Sequence, residues 1–310
     1  MIPVYAREHV LAAVSPSEAY DAVRAAFIAH HRGEWTMPPK VYVTNYPAGD
    51  FRAMPALGGG HALLKWVTSF PGNPARGLPT VTGLVLLSNA DTGELEAVLD
   101  ASAVTALRTA AAGVLALDAL HGAATSVAVV GCGANGAEAA RMLAARGVRP
   151  LVWDVDAARS AAVAEELGAQ IADSLEHALG SDAVITVTPG QTILYPAGSL
   201  RAGQHVSLMG ADGPGKSEIA IDELERARVF CDDWAQASHG GELTAAVEAG
   251  RVMQPDVTAL GAVLAGEAPG RGAEDEITLF DSTGLAIQDL AIARLAFLKS
   301  GELDLPRILL

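Results

Sequence analysis

The chain has 310 residues, half of them hydrophobic, and a formal net charge of −15. That length supplies cores for two domains rather than one, and the acidic balance argues against nucleic acid or an anionic membrane surface as partner, because no basic surplus is present to displace counterions. The two cysteines, Cys132 and Cys231, lack a CxxC spacing or metal-ligating companions, and neither a run of about 18 apolar residues nor a signal-peptide pattern at Met1 to Glu8 is seen, so a soluble cytoplasmic protein without a metal is expected.

In chain order, the first expected element is an amphipathic helix, roughly Ser17 to His31, with Ser15 or Ser17 as its cap and His30 and His31 as solvated groups at its end. From Lys40 to Asp100 the pattern turns to short strands, at 41–43, 51–54, 62–67 and 81–87, separated by Gly58-Gly59-Gly60 and by Phe70 to Gly77. In the strand 62–67, Leu63, Lys65 and Val67 share one face. Lysine is scarce, with Lys40, Lys65, Lys216 and Lys299 against seventeen arginines. A cation on a buried face needs an anionic partner or a ligand, and its pKa moves readily. Ala101 to His121 reads as a long helix of small residues, in which Arg108 either approaches an anion or lies at the surface.

Ser126 to Gly136 reads as a buried strand, Val127 to Val130, running into Gly131-x-Gly133-x-x-Gly136 and a helix over 137–146. In such a turn the first glycine permits the sharp bend, the second lets a pyrophosphate approach the backbone, and the third lets helix and strand pack closely. The phosphate then rests on the helix N-terminus. A second strand, 150–153, ends in Asp154, 18 residues after Gly136. A carboxylate there binds ribose hydroxyls and repels a 2′-phosphate, which favours NAD over NADP, or else it caps the next helix. Alternating helices (157–167, 174–179) and strands (169–171, 183–188, 205–209, 228–231) follow, the signature of a parallel sheet. Thr188, Asp212 and Lys216 fall where the strands' carboxyl ends place ligands, although Asp212 before Gly213 also suits a turn. Helices over 236–249 and 256–264, a strand over 276–280 and a last helix over 285–299 complete the chain. With no sheet left to cover in its own unit, the last helix is expected to return to the N-terminal part.

The fold class expected is therefore α/β: a Rossmann-type doubly wound parallel sheet over 121–284, plus a mainly β domain for substrate binding and dimerisation over 1–120, completed by 285–310, with the site in a cleft between them.

Several motifs together resemble one family, the ornithine cyclodeaminases and mu-crystallins, over nearly the whole chain. They are Met37-Pro38-Pro39-Lys40-Val41, Phe51 to Ala56, Leu64-Lys65-Trp66-Val67, Pro71-Gly72-Asn73-Pro74, Gly77 to Val81, Leu107 to Ala111, Gly210 to Lys216, and Phe280 to Asp289. Within it, Met37 to Lys40, Arg52 to Ala56 and His239-Gly240-Gly241-Glu242 are most similar to the alanine dehydrogenase branch typified by archaeal enzymes. The resemblance implies that Lys40, Arg52 and Lys65 meet the substrate, with Lys65 as acid/base and Asp212 facing the amino group. For the cofactor it implies Thr80, Arg108, Thr109, Gly131, Gly133, Ala134, Asn135, Gly136, Asp154, Thr188, Met209, Gly210, Lys216 and Ser282. It also implies a homodimer joined through the β-rich domain.

Arg52 stands where cyclodeaminases carry a glutamate, and a guanidinium there opposes a distal ammonium, against diamine substrates. Lys40 stands where they use arginine, keeping the charge but losing the bidentate geometry. The expected activity is NAD-dependent, reversible oxidative deamination of a small L-amino acid, best L-alanine, to its 2-oxo acid and ammonia. The alternatives are reduction of a cyclic ketimine such as Δ1-pyrroline-2-carboxylate, then ornithine cyclodeamination, and a silent nucleotide- or hormone-binding protein.

Overall fold

The computed structural model describes residues 1–213, 215–299, 301 and 303–309. In chain order its elements are β1 Ile2–Tyr5, α1 Arg7–Ala13, α2 Pro16–His31, β2 Val41–Asn45, β3 Gly49–Gly58, β4 His61–Ser69, β5 Val81–Asn89, β6 Leu95–Asp100 and α3 Ala101–Leu120. Next come β7 Val127–Val130, α4 Ala134–Ala145, β8 Leu151–Trp153, α5 Ala157–Leu167, β9 Gln170–Ile171, α6 Leu175–Leu179 and β10 Ala183–Thr186. They are followed by β11 His205–Leu208, α7 Ile221–Arg226, β12 Arg228–Cys231, α8 Trp234–Gly240, α9 Thr244–Glu248 and β13 Val257–Ala259. The last are α10 Leu260–Leu264, β14 Thr278–Asp281, α11 Ala286–Leu298 and β15 Arg307–Ile308. Two compact units result, Met1–Arg108 with Leu285–Leu310, and Thr109–Gly284, so that one division falls inside α3.

The first unit is built on a sheet of order β15-β1-β6-β5-β4-β3-β2. Strands β2 to β6 form an antiparallel meander, and β1 joins β6 in parallel. Period-2 alternation governs the long strands: Leu63, Lys65 and Val67 are buried, whereas Leu64 and Trp66 are exposed. Helices α2 and α11 pack on each other, and α11 covers β3 and β4. Pro16 at its first position and a reciprocal Ser15–Glu18 capping box set the start of α2. The expected last helix thus does return to the N-terminal part. Helix α11 carries no polar face: every residue from Ala286 to Ala293 is buried, because α1, α2 and the sheet surround it.

The second unit is a doubly wound sheet of order β13-β12-β14-β11-β10-β7-β8-β9, with parallel pairing throughout the described strands. Strands β7, β10 and β11 are buried along their whole length, as strands covered on both faces must be. Strand order reverses between β7 and β10, the topological switch point at which open α/β sheets take ligands. Helix α3 lies close over β10 because Gly113 has no side chain: a Cβ there meets Ile185 Cγ2 at 3.1 Å.

Several stretches differ from the sequence expectation, among them helices α1 and α7 and strand β15, none of which was expected. Strands β1 and β6 form where none was expected, sharing one register in the first sheet. The helix expected over 236–249 is two, α8 and α9, broken at Gly241, where a Cβ stands 2.4 Å from the Asp281 carboxylate. The segment expected as a helix over 256–264 begins as β13, paired to β12. Helix α3 is long and apolar enough by composition to cross a membrane, yet 78% of its apolar window is buried inside the protein.

Leu290 of α11 is fully buried, so Leu290→Ala leaves a cavity that its tightly packed neighbours cannot close. A loss of about 2–5 kcal/mol is expected in guanidinium unfolding. A loss below about 1 kcal/mol contradicts the packing described.

Candidate active site

Alternation along β4 turns Lys65 inward, where it is 1% exposed. An ammonium in that position is tolerable only with a partner, because desolvation costs several kcal/mol per ion. The partner comes from the first turn of α11: Lys65 Nζ donates to Asp289 Oδ1 at 2.8 Å, and Asp289 is fully buried. Arg108 approaches the same oxygen at 3.5 Å and Gln288 Oε1 at 3.5 Å. Burial lowers the Lys65 pKa to about 8; the charges of Arg108 and Arg52 push the same way, and Asp289 opposes them.

Polar atoms are left over in this cluster. Among the described residues, Asp289 Oδ2, Gln288 Nε2 and Arg108 Nε are buried without a hydrogen-bond partner. Orphaned buried polar atoms are rare in folded proteins, and their convergence marks a place for a polar ligand. With Lys65 charged, two cations face one carboxylate, a surplus suited to an anion.

Arg52 projects from β3 on the same inner face. It donates from Nε to Asp50 Oδ1 at 2.6 Å and from Nη2 to Oδ2 at 3.3 Å, and lies 5.4 Å from the Tyr42 ring. The guanidinium is therefore neutralised locally, so its repulsion of a second ammonium is weaker than the residue alone implies. Lys40, half-buried, immediately precedes β2, and Thr80 precedes β5, its carbonyl accepting from Phe70 N–H at 2.8 Å.

In the second unit the glycines behave as their spacing requires. Gly131 has φ +99°, and a Cβ on it meets Val187 O at 2.7 Å; one on Gly136 meets Gly131 O at 1.7 Å. A Cβ on Gly133 meets nothing within 4 Å. Gly133 caps α4 without a side-chain hydrogen bond, so the amides of the turn carrying Ala134 and Asn135 are open to an anion. At the end of β8, Asp154 accepts from Cys132 N–H at 2.6 Å and from Asp156 N–H at 2.8 Å, tying the carboxylate to the glycine turn.

The remaining candidates also lie at the carboxyl ends of the strands: Thr188 after β10, Met209 and Gly210 after β11, and Ser282 after β14. Asp212 and Lys216 follow β11 and pair at 2.5 Å. Two hydroxyls turn inward. Thr188 Oγ1 donates to Glu218 at 2.5 Å, and Ser282 Oγ donates to Asp232 at 3.2 Å. Sequence reasoning singled out neither Asp289 nor Glu218 nor Glu242, although Asp289 closes the Phe280–Asp289 motif and Glu218 stands two residues beyond Lys216.

Comparison with known proteins accords with this geometry. The profile of the ornithine cyclodeaminase/mu-crystallin family matches residues 4–300. The chain belongs to that family. It is 41% identical to the alanine dehydrogenase of Archaeoglobus fulgidus over 95% of this chain and 94% of that protein. To the Δ1-pyrroline-2-carboxylate reductase 1 of Burkholderia multivorans it is 34% identical over 85% of each. The solved structure of an archaeal alanine dehydrogenase dimer with bound NAD superposes with a TM-score of 0.90 and 39% identity, covering 97% of this chain and 96% of that one.

Four lysines make side-chain NMR of selectively labelled protein tractable. Lys65 is expected to titrate near 8, and in Asp289→Asn, which removes the charge holding its proton, lower still. An unmoved or raised Lys65 titration contradicts the pairing.

Proposed function

We propose that the protein is an NAD-dependent dehydrogenase of small L-amino acids, interconverting L-alanine, as the best candidate, with its 2-oxo acid and ammonia through an imine. The observation that carries this reading is Lys65, a buried amine with a pKa near 8 held by Asp289 in a cation-rich cluster. Its support from relatives is the 41% identity to an alanine dehydrogenase over 95% of the chain.

The residues fit the cofactor. Open space at Gly133 and the uncapped first turn of α4 suit a pyrophosphate, and Asp154 suits the ribose hydroxyls of NAD while opposing a 2′-phosphate. NAD, when bound, supplies the two-electron acceptor. The chain supplies the rest. Arg108 and Lys40 attract the substrate carboxylate; Lys65 in its neutral form takes the proton that the α-ammonium must release; Asp212 offsets the positive charge of the imine; and a water molecule adds to the imine to release ammonia and the 2-oxo acid.

Replacing Lys65 with Ala should lower turnover by roughly 10²–10⁴-fold or more while NADH still binds. Below about pH 8 Lys65 of the wild type is protonated and cannot accept a proton, so kcat/KM for deamination should rise with pH through that value. Full activity of the Ala variant sinks the assignment. Assays of pyruvate with ammonia and NADH, beside assays of Δ1-pyrroline-2-carboxylate with NADH, separate a dehydrogenase from an imine reductase; NADH binding with neither activity identifies a binder.

The same reading includes a homodimer. On the outer face of the first sheet, Val41, Ala53, Trp66 and Leu84 lie in one row across β2 to β5, and Phe51 stacks on Trp66 with ring centroids 5.8 Å apart. Trp66 is 43% exposed and Leu84 52%. A contiguous apolar sheet face of this kind calls for a covering surface. Light scattering should give twice the chain mass for the wild type and the single chain mass for Trp66→Glu; an unchanged mass places the interface elsewhere.

A further inference from the structure

Glu218 is fully buried between β11 and α7, and the mechanism above assigns it no role. Its carboxylate gathers four donors: Thr186 Oγ1 at 2.6 Å and Gly210 N–H at 3.1 Å on one oxygen, Thr188 Oγ1 at 2.5 Å and Thr188 N–H at 3.3 Å on the other. Thr186 ends β10, Thr188 follows it, and Gly210 follows β11, so one side chain ties together the two strand ends beside the switch point. Its main chain is engaged as well. The Glu218 carbonyl accepts from Leu194 and Tyr195 N–H at 2.7 and 3.1 Å, and its N–H donates to Glu242 at 2.8 Å. Next to it, Ser217 N–H donates to Gly190 O at 2.8 Å, stitching the loop after β10 to the loop that carries Asp212 and Lys216.

The hydrogen bonds also divide the charge between the two neighbouring acids. The two backbone N–H groups at Glu218 can only donate, and the Thr186 and Thr188 hydroxyls are placed to donate as well, an arrangement that favours its ionised form against the burial that pushes its pKa up. Glu242 lies behind it, 2.6 Å from Ser217 Oγ, whose single hydrogen also has the Ile219 carbonyl within reach at 2.8 Å. A protonated Glu242 that donates to Ser217 satisfies both contacts. Burial and the neighbouring Glu218 charge raise the Glu242 pKa to about 8, in agreement. Two buried carboxylates this close do not both ionise cheaply.

We propose that Glu218 is a positioning residue for the dinucleotide: its carboxylate sets the placement of Thr188 and Gly210, at the strand ends that would take the nicotinamide end. The proposal rests on the reading that the carboxyl ends of this sheet hold NAD. A Glu218→Gln side chain keeps the shape but turns an NH₂ toward either Gly210 N–H or Thr188 N–H, and so cannot satisfy both strand ends.

The test compares Glu218→Gln, Thr188→Val and the double variant with the full-length wild type, reading NADH affinity by fluorescence, kcat and KM for the amine substrate, and thermal unfolding. Folded Glu218→Gln should bind NADH at least about tenfold more weakly. Thr188→Val, which removes a single donor, should weaken NADH several-fold with a melting temperature near that of the wild type. Because both act through one contact, the double variant should lose little beyond Glu218→Gln alone. If Glu218→Gln does not fold, Thr186→Val, which removes a donor to Glu218 at a residue outside the expected cofactor contacts, takes its place, and wild-type NADH affinity in that folded variant overturns the proposal. Wild-type NADH affinity in the folded single variants, or losses that simply add in the double variant, overturn the proposal. A wild-type protein that binds no NADH instead overturns the underlying reading.

Discussion

The ion pair between Lys65 and Asp289 joins residues 224 positions apart, at 2.8 Å and with both side chains out of water. Removing one member of such a pair strands a buried charge, a loss of about 3–5 kcal/mol. The arrangement therefore obliges the last helix to belong to the first unit, and the chain order follows from that. Residues 109–284, from within α3 to the residue before Leu285, form their own unit, and the chain must then come back to complete the environment of a lysine placed near its beginning.

This dependence on distant partners separates what was legible in the sequence from what was not. The glycine turn, the Asp154 strand end, the face shared by Leu63, Lys65 and Val67 and the start of α2 are local: period, capping chemistry and backbone freedom specify them within a few residues. Helix α11 was readable as a helix, and its return by elimination, because no sheet remained to cover. Asp289 was quoted within a motif yet had no legible role, since its meaning is Lys65. The break at Gly241 depends on a carboxylate 40 residues further on, and β13 exists because β12 offers it an edge. The sequence expectation gave Arg52 a charge opposed to a second ammonium but no partner; Asp50, two residues before it and on the same face of β3, is the signal for the pairing that weakens that repulsion.

The two units solve the problem of buried charge in different ways. In the first, cations outnumber carboxylates: Lys65, Arg108 and Arg52 against Asp289 and Asp50. The sum is one positive charge with Lys65 protonated and zero without. An anionic ligand entering such a cluster favours the protonated form, so carboxylate binding and proton uptake by Lys65 are linked, and each strengthens the other. In the second unit, Glu218 is held by hydroxyls and backbone amides instead, and Asp232 likewise by Ser282, Thr283 and Gly284. Neutral donors thus hold both carboxylates at the strand ends.

The Arg52–Asp50 pair bears on which substrates the proposed dehydrogenase admits. Coulomb repulsion of a distal ammonium cannot be the whole account: at an effective dielectric of about 20, a unit charge 4 Å away is worth roughly 4 kcal/mol, and a carboxylate 2.6 Å from the guanidinium cancels much of it. What the pair does remove is the acceptor. A diamine needs a carboxylate for its second ammonium, and the one on this face, Asp50, is engaged through both oxygens by Arg52. An entering ammonium would have to displace a two-point guanidinium contact already formed out of water, and would take from buried Arg52 its carboxylate partner. Exclusion by occupancy explains why arginine serves where a lysine would not: its planar fork takes both carboxylate oxygens at once, and its charge cannot be lost by deprotonation.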